Sequence, residues 1–118
     1  MPEPTTINEL TRLAIQFRDE RDWKQFHNPK DVALSLLLEA SEVLEIFQWK
    51  DPAGVAEAAR ARKADLADEL ADVLSYTLLM AHDLGIDLSA ALRAKLEKNA
   101  LKYPVEKAKG SSGKYTQL

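Results

Sequence analysis

Two acidic couplets, Glu39-Ala-Ser-Glu42 and Glu69-Leu-Ala-Asp72, stand inside stretches whose apolar residues otherwise repeat at three and four. The i,i+3 spacing puts both acids of a couplet on one side of a helix. Two such helices packed together can bring four carboxylates into one cluster. Left alone, that cluster repels itself and resists burial. A divalent cation resolves both problems, and oxygen-only ligands favour Mg²⁺ or Mn²⁺ over zinc. The competing reading is a solvated surface. Glu45, Asp65 and Asp68 lie close by, and exposed like charges one turn apart cost only about a few tenths of a kcal/mol. Spacing alone leaves both readings open.

The couplets fall in an all-α pattern, because Val and Ile never alternate as strands require. Residues 1–5 read as a frayed lead. A first helix begins near Thr6, which with Glu9 fits a capping box, and Ile7, Leu10, Ala14 and Phe17 form its apolar stripe. A polar stretch from Arg18 to Lys30 follows. Asn28-Pro29 caps and opens a second helix to about Trp49, with Ala33, Leu36, Leu37, Ala40, Leu44 and Phe47 as its packing face. Asp51-Pro52 breaks it, and Gly54 loosens the turn. A third helix is expected from about Val55 to Asp83, with Leu66, Leu70, Val73, Thr77 and Met80 inward and Gly85 past its end. On its wheel, Glu69 borders that stripe at about 300° and Asp72 sits beside it at about 240°, taking Leu66 as zero. Asp87 caps a fourth helix to about Leu101, which carries Leu88, Leu92 and Leu96 and ends at Tyr103-Pro104. The tail, 105–118, reads as loop. The expectation is a four-helix bundle in a single domain spanning 1–118.

Composition narrows the function. Sixteen Lys and Arg against nineteen Asp and Glu give a net charge of −3, without the basic excess of a nucleic-acid binder. There are no cysteines, so disulfides, zinc thiolates and cysteine nucleophiles are excluded. The first twenty residues carry Glu3, Glu9, Asp19 and Glu20 and no signal-peptide core, and no apolar run approaches a membrane span. A cytoplasmic location is the default expectation. A di-iron bundle would need Glu-x-x-His on two helices, and neither His27 nor His82 follows a glutamate by three. The stretch Gly110-Ser-Ser-Gly-Lys114 is not a phosphate loop. Ala108 and Tyr115 break that pattern and no strand precedes it.

The order E-x-x-E then E-x-x-D on a short all-α chain resembles the MazG-like nucleoside triphosphate pyrophosphohydrolases, and more closely their dCTP pyrophosphatase branch. The similarity runs over nearly the whole chain. It includes Glu20-Arg-Asp-Trp23, Gln25-Phe-His27, Phe47-Gln-Trp-Lys50, Glu69 to Leu74, Tyr103-Pro-Val105 and Lys114-Tyr-Thr116. The resemblance implies cleavage of a deoxynucleoside triphosphate between its α and β phosphates. It implies Mg²⁺ on Glu39, Glu42, Glu69 and Asp72, and a homotetramer built as a dimer of dimers.

Glu42 is the first choice of general base, with Glu39 and Asp72 close behind. Trp23 and His27 are candidates for the base pocket, against plainer roles as a core lid and a local cap. Trp49 is assigned to the ligand or a subunit interface. Lys95, Asn99 and Tyr103 suit phosphate and sugar contacts, though such a row also appears on any solvated helix, as does Lys102. The resemblance lets the tail, with Lys114 and Tyr115, fold over a site. One departure matters: vertebrate members of the branch carry a histidine where this chain has Ala14, so strict cytosine preference does not follow. The same chemistry on dUTP or a damaged nucleotide is the alternative, and a non-catalytic helical interaction module is the remaining one.

Overall fold

The computed structural model describes residues 3–118, so the first two residues of the expected lead lie outside the described residues. Helix is the only regular structure among them: α1 (Ile7–Glu20), α2 (Pro29–Phe47), α3 (Pro52–Ala61), α4 (Lys63–Asp83), α5 (Leu88–Lys102) and α6 (Val105–Ala108), with 3₁₀ turns at Lys24–Phe26 and Tyr115–Gln117. The all-α expectation holds, with six helical segments where four were expected. None of these helices is long and apolar enough to cross a membrane. The chain forms two compact units, one up to Gly85 and one from Ile86 to Leu118.

In the first unit the helix boundaries follow the capping chemistry. Thr6 and Glu9 complete a reciprocal capping box on α1. Asn28 Oδ1 accepts from the Asp31 N–H at 2.9 Å, with Pro29 at the first helical position of α2. Asp51 does the same for α3 through the Gly54 N–H at 2.8 Å, so Gly54 lies inside the first turn of that helix and not in a loop. Gly85 takes φ +68° just past α4, where a side chain would be strained.

Two expectations about the middle of the unit fail. The single helix expected over 55–83 is two, because Arg62 leaves helical geometry (φ −112°, ψ 30°). No Gly or Pro marks that break; α3 packs against both α2 and α4, and tertiary packing overrides local propensity. The other failure is on α2. Its buried residues are Val32 and Ile46, and the half-buried ones between them are Ser35, Leu36, Glu39, Ser41, Glu42 and Val43. The stripe expected inside is largely bare, with Leu37 64 % exposed, Leu44 exposed, and Ala33 and Ala40 also open. α2 is apolar on two sides, and the chain covers only one.

That covered side meets α4 in the most extensive helix pairing of the unit. Leu78, Leu79 and Ala81 of α4 are buried, while Leu70 of the expected stripe and Leu74 beside it stay exposed. Val32 and Met80 line one hollow, and Glu39 gathers with Glu69 and Asp72 at another place, so the two helices run antiparallel. α1 packs on α4 and contributes the one buried charged residue described, Arg18.

In the second unit Asp87 Oδ1 accepts from the Ala90 N–H to cap α5. Leu92, Leu96 and Leu101 are exposed. The tail is more ordered than a loop. Tyr115 meets Tyr103 edge-to-face at 6.1 Å between ring centroids, and Lys102 Nζ stands 5.1 Å from the Tyr115 ring.

These observations rank two substitutions. Ile46→Ala should destabilise the fold by about 2–5 kcal/mol, and Asn28→Ala by about 1 kcal/mol. Urea unfolding monitored by circular dichroism checks both, and equal losses would contradict the assignment of Ile46 to the core.

Candidate functional site

The antiparallel pairing of α2 and α4 brings the acidic couplets together, as their spacing allowed. One carboxylate oxygen from each of Glu39, Glu69 and Asp72 lies within 4.8 Å of the others. Glu42 stands beside them, close enough to share a proton with both Glu39 and Glu69. Glu39, Glu42 and Glu69 are half-buried and Asp72 is exposed, so the cluster has a closed side and an open one.

The electrostatics follow from that crowding. Oε2 of Glu39 and Oε2 of Glu69 are buried with no hydrogen-bond partner. The Glu69 carboxyl is pushed up to about 7, first by its hydrogen bond with Glu42, then by desolvation and the Glu42 and Glu39 charges. Glu39 is raised as well, first by desolvation and then by Glu42. Protons are thus one way to relieve the cluster. A cation is another. The donors are all carboxylate oxygens and two of them lack any partner, so the residues present fit a hard divalent ion.

Asp72 belongs to a second feature. It lines a cleft of about 200 Å³ together with Ala14, Trp23, His27, Ser75 and Tyr76. The cleft is floored by α4 and walled by α1 and the turn that follows it. Asp22 takes φ +53° there, a conformation Asp tolerates, and Gln25 Nε2 donates to its carbonyl at 2.9 Å. Trp23 packs edge-on to Phe17 at 5.9 Å, and the Arg21 guanidinium covers the other ring at 3.7 Å from the Phe17 centroid. His27 and Tyr76 have ring centroids 6.4 Å apart.

Of the residues singled out in the sequence, Trp23 and His27 therefore share one cleft with Asp72. Trp49 does not line it. It is 94 % exposed with φ +68°, beyond the end of α2, and borders a separate open hollow with Lys50 and Arg62. A bulky residue in that backbone region is strained. Lys95, Asn99, Tyr103, Lys114 and Tyr115 belong to the second unit, where Asn99 is half-buried and its carbonyl accepts from the Tyr103 N–H at 2.8 Å.

Ser75, Tyr76 and Arg18 were not singled out in the sequence. Ser75 and Tyr76 follow Asp72 by three and four, so the helical period could have placed them on the same side of α4. Nothing local marks Arg18. It is buried, at 2 % exposure, and its partner Asp83 lies far along the chain.

Residues 34–118 match the MazG-like family. Over 99 % of this chain and 69 % of its own length, dCTP pyrophosphatase 1 of Rattus norvegicus is 42 % identical. The Bos taurus protein of the same name is 41 % identical over 98 % of this chain and 69 % of its own. In structure, a pyrophosphatase from Archaeoglobus fulgidus superposes with a TM-score of 0.80 at 37 % identity, covering 88 % of this chain and 97 % of the other. With both acidic couplets inside the matched segment, the chain belongs to the MazG-like family.

Proposed function

We propose that this protein hydrolyses a deoxynucleoside triphosphate, dCTP or a modified dCTP, to the nucleoside monophosphate and pyrophosphate, in a reaction that depends on Mg²⁺ or its substitute Mn²⁺. One observation carries the reading: Asp72 belongs at once to the metal-competent acid trio and to an aromatic-lined cleft. An anionic chain of phosphates needs the first, and a nucleobase suits the second. The dCTP pyrophosphatases and the archaeal pyrophosphatase that this chain resembles support the same chemistry.

Glu39, Glu69 and Asp72 hold the cation, with Glu42 as a further ligand or as the base beside it. A divalent ion held there offsets the negative charge that builds on the phosphates and polarises the reacting groups. Glu42 stands beside the trio, and with a cation in place of the shared proton its carboxylate would take the proton from an attacking water. The water oxygen bonds to phosphorus as the α–β bridging P–O bond breaks, and pyrophosphate departs with the bridging oxygen. Trp23 and Tyr76 offer aromatic rings to a base, and His27 an imidazole.

Ala14 favours a second substrate reading. It lines the cleft with only a methyl group, which leaves room for a substituted base and so for dUTP or a damaged nucleotide. On chemistry alone, Lys95 and Lys114 suit phosphate, Asn99 suits sugar hydroxyl, and Tyr103 and Tyr115 suit stacking. Trp49 suits a subunit interface or a ligand. The bare side of α2, with Leu34, Leu37, Leu38 and Leu44 exposed, is the apolar face that a homotetramer would cover. The whole span 1–118 then acts as one functional domain.

A panel of deoxynucleoside triphosphates with Mg²⁺ should yield pyrophosphate, and Glu42→Gln should lower kcat by about 100- to 10,000-fold. Orthophosphate as the product, or full activity in that variant, would reject the reading. The metal-free protein offers a separate check. Glu69 holds its proton more tightly folded than unfolded, so its contribution to stability is complete at low pH. That contribution is lost as pH rises towards about 7. Melting temperatures of wild type and Glu69→Gln, compared from pH 4 to pH 8 without metal, should therefore diverge, with the variant gaining as pH rises. A constant difference would count against a shared proton. Finally, Leu37→Glu should shift the protein to a smaller species in light scattering, while an unchanged mass would remove this side of α2 from any interface.

A further inference from the structure

We propose that the Arg18–Asp83 pair, buried on its arginine side, is a positioning device for His27, fixing the imidazole so that its Nε2–H is the donor offered to the nucleobase. The inference rests on the cleft being the base site.

Arg18 is 2 % exposed and joins Asp83 through a two-pronged contact, Nη1 to Oδ2 at 2.7 Å and Nη2 to Oδ1 at 2.9 Å. The same Nη1 faces Nδ1 of His27 at 3.5 Å. A guanidinium carries five N–H donors and no acceptor. Nδ1 must therefore present its lone pair, and a neutral imidazole with a lone pair at Nδ1 carries its hydrogen at Nε2. No side-chain hydrogen bond engages Nε2 among the described residues, and the ring borders both this cleft, with Trp23, Ser75 and Tyr76, and a second hollow with Lys24, Asn28 and Asp83. A donor so placed recognises an acceptor on the base edge, a carbonyl oxygen or a ring nitrogen with a free lone pair. The Arg18 backbone carbonyl also accepts from the Trp23 N–H at 3.1 Å, closing the turn that carries both cleft residues.

Stability is a poor explanation for this pair. Asp83 keeps solvent contact, and an ion pair open to water on one side adds little to stability. Here the arrangement also leaves Arg18 Nε–H buried with no partner, a cost an apolar residue would not carry. What the ion pair supplies, and an apolar pair cannot, is a fixed donor aimed at Nδ1.

Nitrogen-15 NMR of the imidazoles tests this directly, with His27 assigned by the signal lost in His27→Gln. At a pH where the ring is neutral, the wild-type His27 should be the Nε2–H tautomer, and a ring protonated at Nδ1 overturns the proposal without any need for a variant. The double substitution Arg18→Met with Asp83→Leu removes both charges together, so neither is left unpaired. His27 should then show a mixture of tautomers. KM for the preferred triphosphate should rise about tenfold, one hydrogen bond's worth, with kcat within about twofold. An unchanged tautomer and KM in that variant would reduce the pair to a structural role. The tautomer can be read even if no triphosphate is turned over, so failure of the substrate reading and failure of this one are distinguishable.

Discussion

The mutual repulsion of carboxylates on the seam between α2 and α4 is the constraint that organises the first unit. Helix packing normally fills such a seam with Leu, Ile and Val. Here its middle holds Glu39, Glu42 and Glu69, half-buried, with two oxygens lacking partners. The apolar closure falls to the flanks, to Val32 and Ile46 on α2 and to Leu78, Leu79 and Ala81 on α4. Packing to either side holds the acids at a separation they would not choose. That is how a fold stores affinity for a cation: the ligands are already gathered, and the ion relieves a cost instead of imposing one.

The same constraint decides what was legible in the sequence. Caps were legible at Thr6, Asn28 and Asp87, which satisfy free N–H groups by local geometry that needs no tertiary partner, while Asp51, read as a helix breaker, is in fact the cap of α3. The acidic couplets were legible as a possible cluster, since i,i+3 spacing survives any packing. The packing face of α2 was not. Hydropathy favours Ala33, Leu37, Ala40 and Leu44, which the chain leaves bare, over a seam of Val32, Leu36, Glu39, Val43 and Ile46 whose centre is a glutamate. An acid in a core position hides that core from a hydrophobic scale.

Long-range pairing was hidden for a different reason. Arg18 sits in a stretch that reads as polar and solvated, and it is sixty-five positions from Asp83. Only the packing of α1 on α4 brings them together, and only then does a charged residue become the tether of a cleft wall. The break at Arg62 is similar: Ala, Arg and Lys all favour helix, and the interruption comes from packing rather than from any residue there. Resemblance supplied what periodicity could not, namely that Trp23 and His27 belong with the acids, and Asp72 shows the physical join, since it serves both features.

The two-sidedness of α2 links chemistry to assembly. Leu37 and Glu39 are about 200° apart on the helix, so Leu37 lies opposite Glu39, whereas Leu38 is about 40° from Glu42 and borders the acids. Within the chain, α2 is gripped chiefly at Val32 and Ile46, while the stretch bearing Glu39 and Glu42 is covered on one side only. A second copy packed over Leu34, Leu37 and Leu38 would limit the rotation of that stretch. It would thereby fix the positions of the two glutamates relative to Glu69 and Asp72. Whatever steadies the acids favours the cation, and by linkage the cation favours whatever steadies the acids. An apolar surface that looks like a defect in an isolated chain would then serve the same site as the carboxylates on that helix.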